Sequence, residues 1–322
     1  MTKDLDFQAQ TEEWLKAKQG TPERMRAARA VLDEIRNGVK VFDAIKKHPI
    51  QAKGGGYIGK QLLVTVYREL IQTGEIDEDP ALLAKIRMKP TRTLSGVTVI
   101  TILTKPYPCP GECIFCPDDV RMPKSYLPDE PGAMRALHHA FDPYDQVMAR
   151  LKQLEAVGHP TDKIELLILG GTWSSYRKDY QEWFLMEVFR ALNGVAHETL
   201  AEAQTYNETS EHRNVGLVIE TRPDEVDQAE VQWLRSLGVT KVQLGAQSFN
   251  NHILELNKRG HTAEELLKAT DLLRAAGFKI VLHWMPNLLG ATPQSDIEDF
   301  ARMWLGYCPD EIKIYPTQLL SG

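Results

Sequence analysis

The chain has 322 residues, 43% hydrophobic and 25% charged, with four cysteines and a formal net charge of −6. These values suit a soluble globular protein built as one large domain or a large and a small one. They argue against a disulfide framework, and no uninterrupted apolar stretch is long enough to span a bilayer. The polar start, Met1-Thr2-Lys3-Asp4-Leu5-Asp6, is unlike a secretory signal, so a reducing cytoplasm is the expected compartment.

The charge is uneven. Residues 1–92 carry 17 Lys/Arg against 13 Asp/Glu, and the remainder carries 21 against 31. A basic head on an acidic body is compatible with a nucleic-acid partner. The densest positive run is Lys85-Ile86-Arg87-Met88-Lys89-Pro90-Thr91-Arg92, to which Lys46, Lys47, Lys53 and Lys60 add. A solvated face is the plainer reading of such a run.

In chain order, the first 90 residues read as helices. The first covers Phe7 to Lys18. The second starts at Thr21-Pro22-Glu23, with Thr as cap and Pro in the first turn, and runs to Arg36 before Asn37-Gly38. Met25, Ala28, Val31, Leu32 and Ile35 mark its apolar face. The third covers Tyr57 to Thr73, with Gly74 as its stop. Gly54-Gly55-Gly56-Tyr57-Ile58-Gly59-Lys60 imitates a phosphate-binding P-loop, but Gln61 stands where a Ser or Thr would hold magnesium. A glycine-rich helix start that lets RNA phosphates approach is the better reading.

From about Val97 the rhythm becomes strand then helix. Six β-branched runs stand out: Val97–Leu103, Ile164–Leu169, Val215–Glu220, Lys241–Gly245, Lys279–His283 and Glu311–Tyr315. Helical stretches, among them Tyr144–Val157, Tyr180–Leu192, Val226–Leu237, Ala263–Ala276 and Asp296–Trp304, fall between most of them. The expected fold is therefore α/β: a partial, TIM-like (βα)6 barrel over 93–322 behind a small, basic helical region over 1–92. Such sheets place chemistry at the C-terminal ends of their strands.

The first strand leads into Cys109-Pro-Gly-Glu-Cys113-Ile-Phe-Cys116, a C-x3-C-x2-C loop. Three close thiolates suit an iron–sulfur cluster held through three irons, with the fourth open to a small molecule. Structural zinc would need a fourth ligand, from Cys308 or a histidine. His138, His139, His252 and His283 receive no role.

Loop and strand order resemble the radical S-adenosylmethionine (SAM) enzymes. The resemblance implies a 4Fe-4S cluster on Cys109, Cys113 and Cys116, which with SAM yields a 5′-deoxyadenosyl radical. It gives Phe115 the aromatic slot within the loop. It places Gly170 and Gly171, after the second strand, against the methionine moiety of SAM. It gives Glu220, after the third, the ribose hydroxyls. Gln247 joins the SAM contacts. Each also has a plainer reading: a tight turn for the glycines, a salt bridge to Arg222 for Glu220, a buried amide for Gln247.

Further segments sharpen the match. Lys89-Pro90-Thr91-Arg92-Thr93-Leu94-Ser95-Gly96-Val97, Glu130-Pro131-Gly132-Ala133-Met134-Arg135-Ala136, Phe141-Asp142-Pro143-Tyr144, Gly158-His159-Pro160-Thr161-Asp162-Lys163, Ile219-Glu220-Thr221-Arg222-Pro223-Asp224 and Lys313-Ile314-Tyr315-Pro316-Thr317 are similar to the Elongator catalytic subunit family. Its prokaryotic members share the short cysteine spacing. The resemblance implies conversion of a tRNA wobble uridine to its 5-carboxymethyl form. Acetyl-CoA is the cosubstrate: a radical at its methyl carbon adds to C5 of uracil, and thioester hydrolysis follows. It implies that Lys163 contacts acetyl-CoA. It also implies that Lys46, Lys47, Lys53, Lys60, Lys85, Arg87, Lys89 and Arg92 meet the tRNA backbone around the anticodon. No membrane partner is expected; homo-oligomers and accessory subunits stay open.

Family members continue into an acetyltransferase-like domain, absent here, so the chain reads as truncated, with activity on its own in question. Two rival functions remain open: a radical SAM oxidase of a porphyrinogen-like small molecule, and a non-catalytic RNA-binding scaffold with a structural metal.

Overall fold

The structure is a computed structural model that describes residues 20–50, 56–117 and 119–318. The helix expected over Phe7 to Lys18, and Lys53, lie outside the described residues. Two compact units emerge, one formed by residues 1–98 with 151–161, the other by 99–150 with 162–322.

The first unit is helical: α1 (Pro22–Arg36), α2 (Val41–Lys47), α3 (Lys60–Gln72) and α4 (Pro80–Ile86). Thr21 caps α1 by accepting from Arg24 N at 3.4 Å, with Pro22 in the first turn. The apolar stripe read from the sequence is its buried face: Ala28, Val31, Leu32 and Ile35 are at most 1% exposed. They share a core with Leu63, Val66, Tyr67 and Leu70 of α3. Each fully buried Leu or Ile there stabilises by roughly 1.5–3 kcal/mol. The short helices α2 and α4 are absent from the sequence reading. At 7 residues each, they are too short for a strong periodic signal. A cap sets α4, with Asp79 accepting from Ala81 N and Leu82 N.

Among its described residues the second unit holds six strands in the order β1 to β6: β1 (Thr98–Leu103, whose first residue belongs to the helical unit), β2 (Lys163–Leu169), β3 (Arg213–Thr221), β4 (Lys241–Gln247), β5 (Lys279–Trp284) and β6 (Glu311–Ile314). The pairs from β2 to β6 are all parallel. This is the open (βα)6 arrangement anticipated, with every strand within a few residues of its expected place. Helices intervene: α5 (Pro131–His138) and α6 (Pro143–Ala156, which from Leu151 belongs to the helical unit) after β1, α7 (Lys178–Asn193) and α8 (Leu200–Asn207) after β2, and α9 (Gln228–Ser236) after β3. Then come α10 (Asn251–Leu256) and α11 (Ala263–Ala275) after β4, and α12 (Pro293–Arg302) after β5.

Alternation divides each strand between two faces. Leu217, Ile219, Val242, Leu244, Ile280 and Leu282 form one apolar, buried set. The other face, the inside of the curl, mixes apolar side chains such as Val218 and Val281 with charged and amide groups. Lys241 is 10% exposed and bridges Glu165 at 2.9 Å and Glu311 at 2.6 Å near the strand beginnings. One step further, Gln243, His283 and Lys313 meet. Closed barrels usually fill this space with branched apolar side chains. Here polar groups stand among the apolar ones and lead to the C-terminal ends.

Candidate active site

The three cysteines converge at those ends. Cys109, Cys113 and Cys116 line one small cavity with Phe115, Gly171, Glu220, Gln247, Arg222 and Arg259. Cys109 Sγ lies 3.5 Å from Thr172 Oγ1 and Cys116 Sγ lies 3.2 Å from Ser125 Oγ. Arg259 Nη1 donates to Cys113 Sγ at 3.6 Å, and Arg222 Nη1 stands 4.0 Å from the same sulfur. The Cys113 thiol is pulled down to about 5, first by the hydrogen bond from Cys116 and then by the Arg259 and Arg222 charges, against the opposing effect of burial. Cys116, as the donor in that pair, is pushed up.

Both arginines are themselves fixed. Arg222 is held by Asp224 at 2.8 Å and by the Arg259 carbonyl at 2.9 Å. The plainer reading of Glu220, a bridge to Arg222, is not formed: the chain turns at Pro223–Glu225, which brings Asp224 back onto the guanidinium. Arg259 donates to the Gly245 carbonyl from Nε and Nη2. Gly111 makes room for Arg222, since a Cβ there would fall 2.0 Å from Nη1.

The donor set suits a cluster. Three thiols and two buried guanidiniums form a nest for an anionic group with three protein sulfurs. No group of three His, Cys, Asp or Glu side chains among the described residues is gathered as one metal ion would need. Cys308 is no fourth ligand. It is exposed, donates to the Trp304 carbonyl at 3.5 Å, and precedes β6, at the opposite end of the sheet.

A larger cavity of about 530 Å³ adjoins the loop. Phe115, Cys116, Ser125, Tyr126, Glu220, Gln247, His283 and Tyr315 line it. Glu220 accepts from Tyr126 Oη at 2.7 Å, and burial pushes its carboxyl above the usual range. Gln247 reaches the cavity through a β-bulge: between Leu244 and Gln247 the register with β5 shifts, and Gln247 sits at φ +68°. Its Oε1 is buried without a hydrogen-bond partner. Asp299 braces the turn that follows, accepting from Ser248 Oγ, Phe249 N and Trp284 Nε1 at 2.9 to 3.1 Å.

Of the glycine pair, Gly171 faces the cysteine cavity at φ +91°. Gly170 lines neither cavity. Its φ is +145°, and a Cβ would fall 1.8 Å from Thr104 Oγ1, so its glycine answers to packing.

Lys163 is not brought to this end. It is the exposed first residue of β2, roughly 20 Å from the strand's other end at 3.3 Å per residue. In the helical unit, Lys46, Lys47, Lys85, Lys89 and Arg92 are exposed, with Lys47 paired to Glu34 at 2.8 Å. Lys60 donates to the Lys85 carbonyl at 2.9 Å, and Arg87 Nε to the Gly158 carbonyl at 2.8 Å. Both thus donate to the protein's own backbone.

The sequence reading gave no role to Arg259, Tyr126, Gln243, His283 and Lys313. Gln243, His283 and Lys313 lie within strands, while Tyr126 and Arg259 lie in loops, and only the fold brings them together.

Residues 107–303 match the family model of the radical SAM superfamily. The chain belongs to that superfamily. Membership implies a 4Fe-4S cluster and SAM for this radical SAM chain. It is 45% identical over 262 residues to the tRNA uridine(34) acetyltransferase of Methanocaldococcus jannaschii, covering 79% of this chain and 48% of the relative. It is 46% identical over 237 residues to the protein of the same name from Dehalococcoides mccartyi, covering 73% and 51%. Among solved structures, the archaeal Methanocaldococcus infernus Elp3 with an N-terminal deletion is similar at 40% identity and TM-score 0.59, covering 70% of this chain and 47% of that one. The chain thus spans about half the length of the relatives it matches. No helix among the described residues is long and apolar enough to cross a membrane.

Proposed function

We propose that this chain is the radical-generating, tRNA-binding part of an enzyme that converts a wobble uridine to 5-carboxymethyluridine, with acetyl-CoA as cosubstrate. The observation that carries the reading is the 45% identity to a tRNA uridine(34) acetyltransferase over 262 residues. When bound, the cluster and SAM supply a carbon-centred radical.

The residues divide the work. Cys109, Cys113 and Cys116 hold the cluster, with Arg222 and Arg259 balancing its negative charge. Phe115 and Gly171 border the SAM side of the cavity. Glu220, steadied by Tyr126, accepts hydrogen bonds from the ribose hydroxyls, and Gln247 offers its unpartnered Oε1 to the same ligand. Thiols and carboxylate line the same cavity.

A uridine inside an RNA loop must leave its stack to enter such a cavity. Lys46, Lys47, Lys85, Lys89 and Arg92 provide the electrostatic attraction to the tRNA backbone. Lys60 and Arg87 order the segment that carries those charges. Lys163, at the far end of β2, meets a part of acetyl-CoA remote from the reacting carbon.

The test is anaerobic reconstitution, then SAM and dithionite, scored by 5′-deoxyadenosine. Salt-dependent tRNA binding and carboxymethyluridine formation with acetyl-CoA are then measured. Cleavage of SAM without any salt-dependent tRNA binding would leave a radical enzyme acting on some other substrate.

A further inference from the structure

Inside the curl, the side chain of Gln243 has an unambiguous orientation. Lys313 Nζ lies 2.7 Å from Gln243 Oε1, and an ammonium only donates, so this atom is the amide oxygen. The same oxygen lies 2.8 Å from His283 Nε2. Since it can only accept, Nε2 carries the proton.

His283 is buried, and its ring is held neutral by burial and by the Lys313 charge. Its Nδ1 is therefore a bare lone pair. It stands 3.6 Å from Glu220 Oε1, too long for a hydrogen bond, at the wall of the 530 Å³ cavity. Glu220 is already engaged by Tyr126 through its other oxygen. In the same cavity Gln247 Oε1 is a buried acceptor without a hydrogen-bond partner. A buried acceptor left alone is costly, so this wall is built for a ligand that presents N–H or O–H donors.

We infer that His283 is a specificity residue whose Nδ1 accepts the N3–H of the substrate uracil. Cytosine presents a lone pair at its N3, so His283 opposes it with a second lone pair. This rests on the reading of the substrate as a tRNA uridine. Gln243 and Lys313 act as positioning residues that hold the tautomer.

The test uses cluster-reconstituted, SAM-loaded protein and two anticodon stem-loop RNAs that differ only in U or C at the wobble position. Wild type is expected to favour U by about tenfold, the scale of one gained hydrogen bond plus one lone-pair clash. H283Q keeps a donor at the Nε2 position but lacks the Nδ1 acceptor, so it should bind both RNAs equally while SAM affinity is unchanged. H283N keeps an acceptor near the Nδ1 position and should retain the preference. Imidazole nitrogen shifts of the wild type should show Nε2 protonated and Nδ1 bare across neutral pH. A U preference that survives H283Q, or a loss of SAM affinity with the preference intact, overturns the inference and gives Nδ1 to the ribose. A wild type that binds neither RNA removes the tRNA reading itself, before any variant is made.

Discussion

Tyr126 and Glu220, 94 positions apart, are joined by a 2.7 Å hydrogen bond from the phenol to the carboxylate. It ties the segment after the cysteine loop to the end of β3. The wall that would hold SAM is thereby linked to the loop that would hold the cluster.

That carboxyl gives a pH prediction. Its folded-state value is raised above the ordinary 4.5, chiefly by burial. The native state then holds its proton longer than the unfolded chain, so this group's contribution to stability falls as pH rises from about 4.5 through the raised value. Glu220→Gln removes that pH dependence. Denaturant midpoints at acidic and neutral pH should show the variant gaining on the wild type as pH increases. Parallel pH profiles would contradict it.

Serine in place of Cys109, Cys113 or Cys116 should remove cluster loading, measured as iron and sulfide per chain after reconstitution. Cys308→Ser should load like the wild type. If Cys308→Ser lost its iron, a site at the other end of the sheet would be indicated.

Gly170→Ala meets both a left-handed backbone and Thr104 Oγ1 at 1.8 Å. It should cost about 1–3 kcal/mol, read from the shift in urea midpoint at constant m. Gly194→Ala is the control: its φ is +72°, but nothing lies within 4 Å of the added Cβ, so it should cost less.

Among the basic residues, Lys89→Ala and Arg92→Ala should weaken tRNA binding at low salt. Each should also lower the log–log salt slope by roughly 0.7–0.9 per phosphate that its charge neutralises in the wild type. Lys60→Met should chiefly reduce thermal stability, because its ammonium serves the Lys85 and Arg87 carbonyls. A salt slope unchanged in Lys89→Ala and Arg92→Ala would move the tRNA path elsewhere.

The sequence by itself determined the strand–helix rhythm, the cysteine triplet at the end of the first strand, and the family. These are local signals: β-branched runs, turn residues, and thiols separated by three and then two residues. It also marked Glu220 and Gln247, because a strand end is visible wherever a strand is. Only the tertiary structure decided the company they keep. Arg259 reaches Cys113 across 146 positions, and Lys313 meets Gln243 across 70. Alternation tells which residues of one strand share a face, but the parallel register decides which residues of neighbouring strands share a level. The register set His283 opposite Lys313, with Gln243 one pleat lower beside Val281, where hydrogen bonding to its amide oxygen fixes the tautomer of a histidine that had no role in the linear chain.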